Sequence, residues 1–298
     1  GVFKRALLEA GVKKDQIDLV SFTYGPGLVG SLLVGVSFAK ALGFSLNIPI
    51  IGINHLQAHT FSAVIDKESI PFPFISLIIS GGHTSLAFVR DFDKFELLGQ
   101  TLDDALGEAF DKVSKILGYG YPGGPIIEKL AKRGNPDNVR LQYNYESIDS
   151  FDFSFSGIKT AVLYYVRDLQ RHNKKPNEYD IAGNFQQTVI KIIFEKIKLA
   201  CEIKGTSTIV VSGGVSINKR LRNYIRSHSK HYKLKVIFPK NNLCLDNGAM
   251  VASLGEYLFK KKRFISNFYI SAVSNLGFDS NFKGEGYLDK SFCEFFGR

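Results

Sequence analysis

Two stretches of this 298-residue chain share one design: "LIISGGHTSL" at residues 77–86 and "IVVSGGVSIN" at 209–218. Each is a short apolar run that stops at Ser-Gly-Gly. Aliphatic and β-branched residues bounded by glycine read as a buried strand. Glycine at the turn lets backbone N–H groups approach a phosphate, because no Cβ stands in the way. In the second stretch a helix follows, and its N-terminus favours an anion. A single Ser-Gly-Gly serves any tight bend. Two of them, each closing a strand, point to an α/β architecture with a nucleotide clamped between two lobes.

The remaining pattern fits that architecture. "IDLVSFTYG" reads as a strand, "GPGLVG" as a turn, "SLLVGVSFAKALGFSL" as a helix and "IPIIGI" as a strand, the β-turn-α-β order of α/β folds. "PFPFISLIISGGHTSLAFVRDFDKFELLGQTL" reads as a three-stranded meander, with Pro71 and Pro73 marking a lobe boundary. Helices are expected at "DDALGEAFDKVSKILG", with Asp103 and Asp104 at its positive N-terminus, and at "IIEKLAKRG", "FSFSGIKTAVLYYVRDL" and "DIAGNFQQTVIKIIFEKIKLACEIKG". "KLKVIFP" is a strand and "LDNGAMVASLGEYLFKKK" a closing helix, whereas 135–152 reads as loop. The opening "GVFKRALLEAGV" reads as a helix already under way, so an N-terminal portion is expected to be missing. The expected organisation is lobe I over 1–70, completed by 247–263, lobe II over 71–246, and an irregular tail over 264–298.

Composition narrows the partners. The formal net charge is +10 and the pI about 9.3. Such a balance admits a polyanion such as RNA, the other reading being a lysine-rich solvated surface. No apolar stretch runs the roughly 20 residues of a membrane span without charge or Gly/Pro breaks, so no membrane partner is expected. Cys201, Cys244 and Cys293 form no CxxC pair, and no signal peptide opens the chain, which implies a reducing, cytoplasmic setting.

One short segment suggests a metal. In "INHLQAH", His55 and His59 stand four apart after an apolar run, with Asn54 placed to cap a helix. The spacing is that of zinc proteases, but Leu56, Gln57 and Ala58 supply no carboxylate base. A third ligand must come from elsewhere. Asp246, Cys244 and His83 are candidates, and Asp246 could equally be a helix cap. Asp111 and Glu128 could accept hydrogen bonds from ribose hydroxyls or be exposed helix charges. Gly123 and Gly124 could let a base or sugar lie on backbone or be simple turn residues.

Seven blocks in order then carry a resemblance: "GPGLVGSLLVGVSFAKAL", "INHLQAH", "LIISGGHTSL", "LGEAFDKVSKILGYGYPGGPIIEKLA", "FSFSGIKTAV", "VSGGVSINKRLR" and "CLDNGAMVA". Over residues 1 to about 260 the chain resembles the tRNA N6-threonylcarbamoyladenosine transferases, once labelled O-sialoglycoprotein endopeptidases. The resemblance implies the two-lobed actin/Hsp70-like ATPase fold with its active site in the interlobe cleft. It implies transfer of a threonylcarbamoyl group from threonylcarbamoyl-AMP to N6 of adenosine 37 in tRNAs reading codons that begin with A. It carries His55, His59 and Asp246 over as ligands of a divalent ion, iron(II) or alternatively zinc, acting as a Lewis acid. The backbone around Ile78, Ile79, Ser80, Gly81 and Gly82 carries over as a substrate-binding loop, and Asp111, Gly124, Asn218 and Glu128 carry over as further contacts to the adenylate. A noncatalytic paralogue and a small ATPase are the implied partners. The family's opening strand and Ser-Ser-Cys-Asp-Glu-Thr turn have no match, which implies a first lobe incomplete at its N-terminus. The alternatives are a truncated copy reduced to a scaffold or dimerisation partner, an ATPase of the same fold, and a metalloprotease.

Overall fold

The computed structural model describes residues 1–65, 67, 69, 72–92, 94–143, 150–261 and 268–278. Pro71, Cys293, residues 144–149 of the expected loop, the end of the closing helix at 262–263 and most of the expected tail lie outside the described residues. In chain order the elements are α1 (Val2–Ala10), β1 (Val20–Gly25), α2 (Val29–Leu46), β2 (Ile50–Asn54), α3 (His55–Ser62), β3 (Phe74–Ile79), β4 (Thr84–Asp91), β5 (Lys94–Gln100), α4 (Leu106–Ile116), α5 (Gly123–Ala131), α6 (Ser156–Arg171), α7 (Glu178–Lys204), β6 (Thr208–Ser212), α8 (Lys219–His231), β7 (Lys235–Ile237) and α9 (Gly248–Lys260). The chain divides into two units, Gly1–Phe61 with Asn247–Arg298, and Ser62–Asp246. The first break thus falls after Phe61, where the sequence reading set it at residue 70.

In the first unit β1 and β2 pair in parallel, Val20 opposite Ile50 through Thr23 opposite Ile53. Parallel neighbours need a crossover, and α2 supplies it. Side chains alternate between the two faces. Phe22, Tyr24 and Ile50 pack with Val36 and Ala39 of α2 and with Ile270. Ser21 and Ile51 point the other way, against α9. There Gly255 comes so close that a Cβ would sit 2.0 Å from Ser21 Oγ and 3.1 Å from Ile51 Cγ2. Among the described residues α2 is long and apolar enough to cross a membrane by length and composition. It buries Leu32, Val36, Ala39 and Gly43 and exposes Leu33, Val34 and Phe38.

Residues 268–278 were expected to form part of an irregular tail. They lack helix and strand, but they pack into the first unit. Val273 N–H donates to Tyr24 O at 2.8 Å, Gly27 N–H donates to Ser274 O at 3.1 Å, and Ile270 and Phe278 are buried. Hydrogen bonds to a neighbouring strand end, rather than internal periodicity, order this segment.

The second unit is built on a mixed sheet in the order β5-β4-β3-β6-β7. β3 to β5 form the antiparallel meander, and β6 and β7 add in parallel. All six residues of β3 are buried, as a central strand covered on both faces requires. Ile75, Leu77 and Ile79 share a core with Phe110 and Val113 of α4 and Phe185, Val189 and Ile193 of α7. The Asn177 side chain caps α7, accepting from Tyr179 N–H and Asp180 N–H, and Gly205 stops it with φ 62. Burial on α7 pushes the Cys201 thiol up to about 12, so it stays protonated and inert.

Asp103 departs from its expected role. It does not serve α4, which begins at Leu106. Its Oδ1 accepts from Phe155 N–H at 2.9 Å and Ser156 N–H at 3.2 Å, and its Oδ2 accepts from the Ser154 and Ser156 hydroxyls. It therefore caps α6 from fifty residues away, a link no local pattern encodes. Asp104 pairs with Lys112 at 2.6 Å and Lys159 at 3.0 Å. Burial acts to raise the Asp103 carboxyl, but the Ser154 and Ser156 hydroxyls and the Phe155 and Ser156 amides hold it below the usual carboxylate range. A depressed carboxylate contributes stability above its ordinary value of about 4, and that contribution fades as pH falls through the folded value. Asp103→Asn should lose about 1 kcal/mol at pH 7 through the weakened cap. Urea unfolding from pH 7 to 3.5 should then be less pH-dependent for the variant than for the wild type. Parallel curves would remove the charged cap.

Candidate functional site

The end of β2 sets up a pair of imidazoles. Asn54 closes the strand, and its Oδ1 accepts from Leu56 N–H at 2.9 Å, turning the chain into α3. His55 and His59 share one face of that helix, ring centroids 4.6 Å apart. His55 is half-buried and His59 is buried. The helix is pinned from outside: Asn54 Nδ2 donates to Gly277 O at 2.8 Å and Gln57 Nε2 to Phe278 O at 3.1 Å. The residues that tie down α3 thus come from the segment read as a tail.

The carboxylate is delivered by α9. Asn247 caps that helix, its Oδ1 accepting from Met250 N–H at 2.9 Å, and Asp246 immediately precedes it. One ligand atom each from His55, His59 and Asp246 lie within 4.8 Å of one another. Ligand atoms bonded at about 2.0–2.2 Å to one ion stand roughly 3–4 Å apart, so small side-chain rotations suffice to close the set. Two nitrogens and one oxygen suit zinc or non-haem iron(II) and leave coordination positions open. Cys244, weighed as a ligand, is fully buried, and its Sγ accepts from Arg222 Nη2 at 3.0 Å. His83 is not one of the three.

A pocket of about 380 Å³ lies wholly in the second unit. It brings together Gly81, Asp111, Gly124, Glu128 and Asn218 from four separate segments, Gly124 and Glu128 both belonging to α5. Each polar member has a structural anchor. Asp111 Oδ1 accepts from Gly123 N–H at 2.6 Å, fixing the start of α5. Glu128 Oε1 accepts from Lys219 N–H at 3.1 Å, and Asn218 Oδ1 accepts from Leu221 N–H at 2.9 Å, both at the start of α8. Ser80 ties its own turn, its Oγ accepting from His83 N–H at 3.1 Å and its N–H donating to His83 O at 2.8 Å. The N–H groups of Gly81 and Gly82 make no hydrogen bond among the described residues. The first turn of α4 presses on this bend: a Cβ on Gly107 would fall 2.7 Å from both Gly81 Cα and Ser80 O.

Of the remaining expected contacts, Ile78 and Ile79 are fully buried strand residues, and neither they nor Ser80 and Gly82 line the pocket. Sequence reasoning passed over Phe110, Tyr121, Ile217 and Leu245, which do line it. Tyr121 is 83% exposed beside "PGG", a usable signal, because an exposed aromatic next to open backbone offers a stacking surface. Leu245 lines the pocket, and its peptide bond joins it to Asp246.

Residues 1–253 match the family profile of tRNA N6-adenosine threonylcarbamoyltransferase (TsaD). The chain belongs to this family. Among TsaD-family proteins, one from Clostridium perfringens (strain SM101) is 43% identical, the alignment covering 92% of this chain and 81% of that protein. The protein of the same description from Thermosipho africanus is 46% identical, covering 92% and 82%. Solved structures of HypF share the fold. Full-length HypF in its phosphate- and nucleotide-bound form superposes with a TM-score of 0.61 at 14% identity, over 86% of this chain and 41% of that one. T. kodakarensis HypF gives 0.62 at 13%, over 86% and 42%. At such identity the likeness concerns the α/β fold alone.

The close packing of α9 makes a prediction for this TsaD-family chain. Gly255→Val should push α9 off β1 and β2 and cost about 1–3 kcal/mol of stability. The Asp246 carboxylate moves with the helix, so zinc affinity measured by titration calorimetry should fall by about tenfold or more. Unchanged affinity in a destabilised variant would break the link between helix seat and ligand set.

Proposed function

We propose that this chain transfers the threonylcarbamoyl group of threonylcarbamoyl-AMP to N6 of adenosine 37 in tRNAs reading codons that begin with A. The family assignment supports the reaction class. The observation that carries the site is the meeting of His55 and His59 with Asp246. A divalent ion held there, iron(II) in this reading with zinc as the alternative, would supply Lewis acidity toward the carbonyl under attack. A cytoplasmic setting, a noncatalytic paralogue and a small ATPase accompany the reading.

The chain's own residues have definite tasks in it. The N–H groups of Gly81 and Gly82 hold the phosphate of the mixed anhydride and stabilise the charge it gains. Asp111 and Glu128 each spend one oxygen on a helix N-terminus, which leaves the other to accept from a ribose hydroxyl. The Asn218 side chain, oriented by its cap, marks the far end of the adenylate. The N6 lone pair attacks the carbamoyl carbon, the bond from that carbon to the phosphate oxygen breaks, AMP departs with the electron pair, and N6 releases one proton. Because adenine N6 is a weak nucleophile, fixed orientation of both reactants supplies much of the acceleration.

His55→Ala should bind no stoichiometric iron or zinc. Supplied with threonylcarbamoyl-AMP, tRNA and the partner proteins, it should modify tRNA at least about 100-fold more slowly, read by nucleoside mass spectrometry. Wild-type turnover by a metal-free variant would overturn the assignment of the ligands.

A further inference from the structure

The positive charge of this chain is concentrated in one place. From Lys219 to Lys240 the sequence has Lys or Arg at eight positions and no Asp or Glu, against a net charge of +10 for the whole protein. This stretch is α8, the turn after it and β7. The buried side of α8 is Leu221, Ile225 and Ser229. Lys219, Arg226 and Lys230 recur at offsets of seven and four, so they form one stripe along an exposed flank of the helix, with Arg220 beside it and Lys233 in the turn that follows. All five are exposed. Among the described residues Lys219, Arg220, Lys230 and Lys233 make no ion pair.

The stripe is held rigidly. Asn218 and Glu128 fix the first turn of α8, as described above. Arg222, on its inner edge, donates to Pro239 O at 3.1 Å, and Arg226 lies over the Phe238 ring at 5.1 Å. Lys219 and Lys230 stand about 16 Å apart along the helix axis, at 1.5 Å per residue. Successive cations of the stripe, at offsets of seven and four residues, are about 6–11 Å apart along the axis, comparable with the screening length of about 8 Å at physiological salt, so neighbours reinforce one another although the two ends do not.

The stripe also has a direction. Its first turn grows out of Asn218, which lines the pocket assigned above to the adenylate. Arg220 lines a second cavity, of about 420 Å³, beside Glu128, Lys132, Gln186 and Gln187. Cations, amides and a helix axis thus lead away from the pocket within one unit. An ordinary solvated helix intersperses acids with its bases; this one does not.

We propose that the exposed face of α8, from Lys219 to Lys233, is an RNA-docking surface that tracks the phosphate backbone of the substrate tRNA beside the pocket. This rests on the reading of the chain as a tRNA-modifying enzyme. The contacts are to phosphate, so they set affinity and position and carry no base preference.

The test compares the full-length wild type with two charge-matched variants. One is Lys219→Gln/Arg220→Gln/Lys230→Gln/Lys233→Gln. The other removes four exposed cations at the end of α6 and just beyond it, Arg167→Gln/Arg171→Gln/Lys174→Gln/Lys175→Gln. Binding of an unmodified tRNA transcript is read by fluorescence anisotropy from 50 to 200 mM salt, after thermal unfolding confirms that all three proteins are folded. The α8 variant should bind about tenfold or more weakly, with the log–log salt slope shallower by about 3, since each lost phosphate contact removes about 0.7–0.9. The α6 variant should stay within about threefold of wild type. Equal losses in both variants would reduce the effect to total charge and overturn the surface. So would an α8 variant that binds like wild type, a wild type that binds no RNA, or a wild type that binds only anionic phosphatidylserine vesicles. Modification assayed on the wild type separates the two readings. RNA binding lost in the α8 variant while the wild type modifies no tRNA keeps the surface and removes the transferase; normal modification with unaltered α8-variant binding does the reverse.

Discussion

The seat of α9 on the β1–β2 pair governs the rest of the site. A helix lies this close to a sheet only where a side chain is missing, and Gly255 supplies that vacancy against Ser21 and Ile51. Once the helix axis is fixed there, its capped N-terminus has one place to go. Asn247 starts the helix and Asp246 precedes it, so the carboxylate arrives beside two imidazoles held on an unrelated helix. The imidazoles are fixed in turn by Asn54 and Gln57, each bonded to a carbonyl of the 268–278 segment. Neither half of the ligand set is placed by loop geometry alone.

The pocket follows the same economy. Its polar residues each hold a helix N-terminus: Asp111 starts α5, while Glu128 and Asn218 start α8, and in the proposed reading their remaining hydrogen-bonding capacity faces the adenylate. Helix N-termini converge on it from several directions, which favours an anionic occupant. In the proposed reading the cationic face of α8 extends that preference outward, from a single phosphate in the pocket to a polyanion along the surface. In this account one helix serves a small substrate at its first turn and a large one along its length.

Much of this was legible in the sequence because it is local. The Ser-Gly-Gly turns, the β-turn-α-β opening and the meander all announce themselves by periodicity and glycine, and the strands and helices occur where those signals fall. The histidine pair was legible because four-residue spacing forces a shared helix face. Asp111 and Asn218 were identified by resemblance, but their anchoring bonds were not visible, since backbone partners leave no trace in side-chain pattern. Asp103 was misread for the same reason: its partners lie on α6, far along the chain. Residues 268–278 have no periodicity at all. Their order comes from bonds to Tyr24, Asn54 and Gln57, which only the folded chain reveals. Ile78 and Ile79 belong to the binding block by sequence, yet as interior strand residues they support the turn from behind.

The central claim is that His55, His59 and Asp246 share one ion. Its most direct test is a crystal of the full chain grown with zinc, with anomalous difference maps recorded on both sides of the zinc absorption edge. A shared ion gives one strong peak at bonding distance, about 2.0–2.2 Å, from an imidazole nitrogen of each histidine and a carboxylate oxygen of Asp246. A peak held by the two histidines with Asp246 turned away, or a strong peak only at some other cluster, would contradict it.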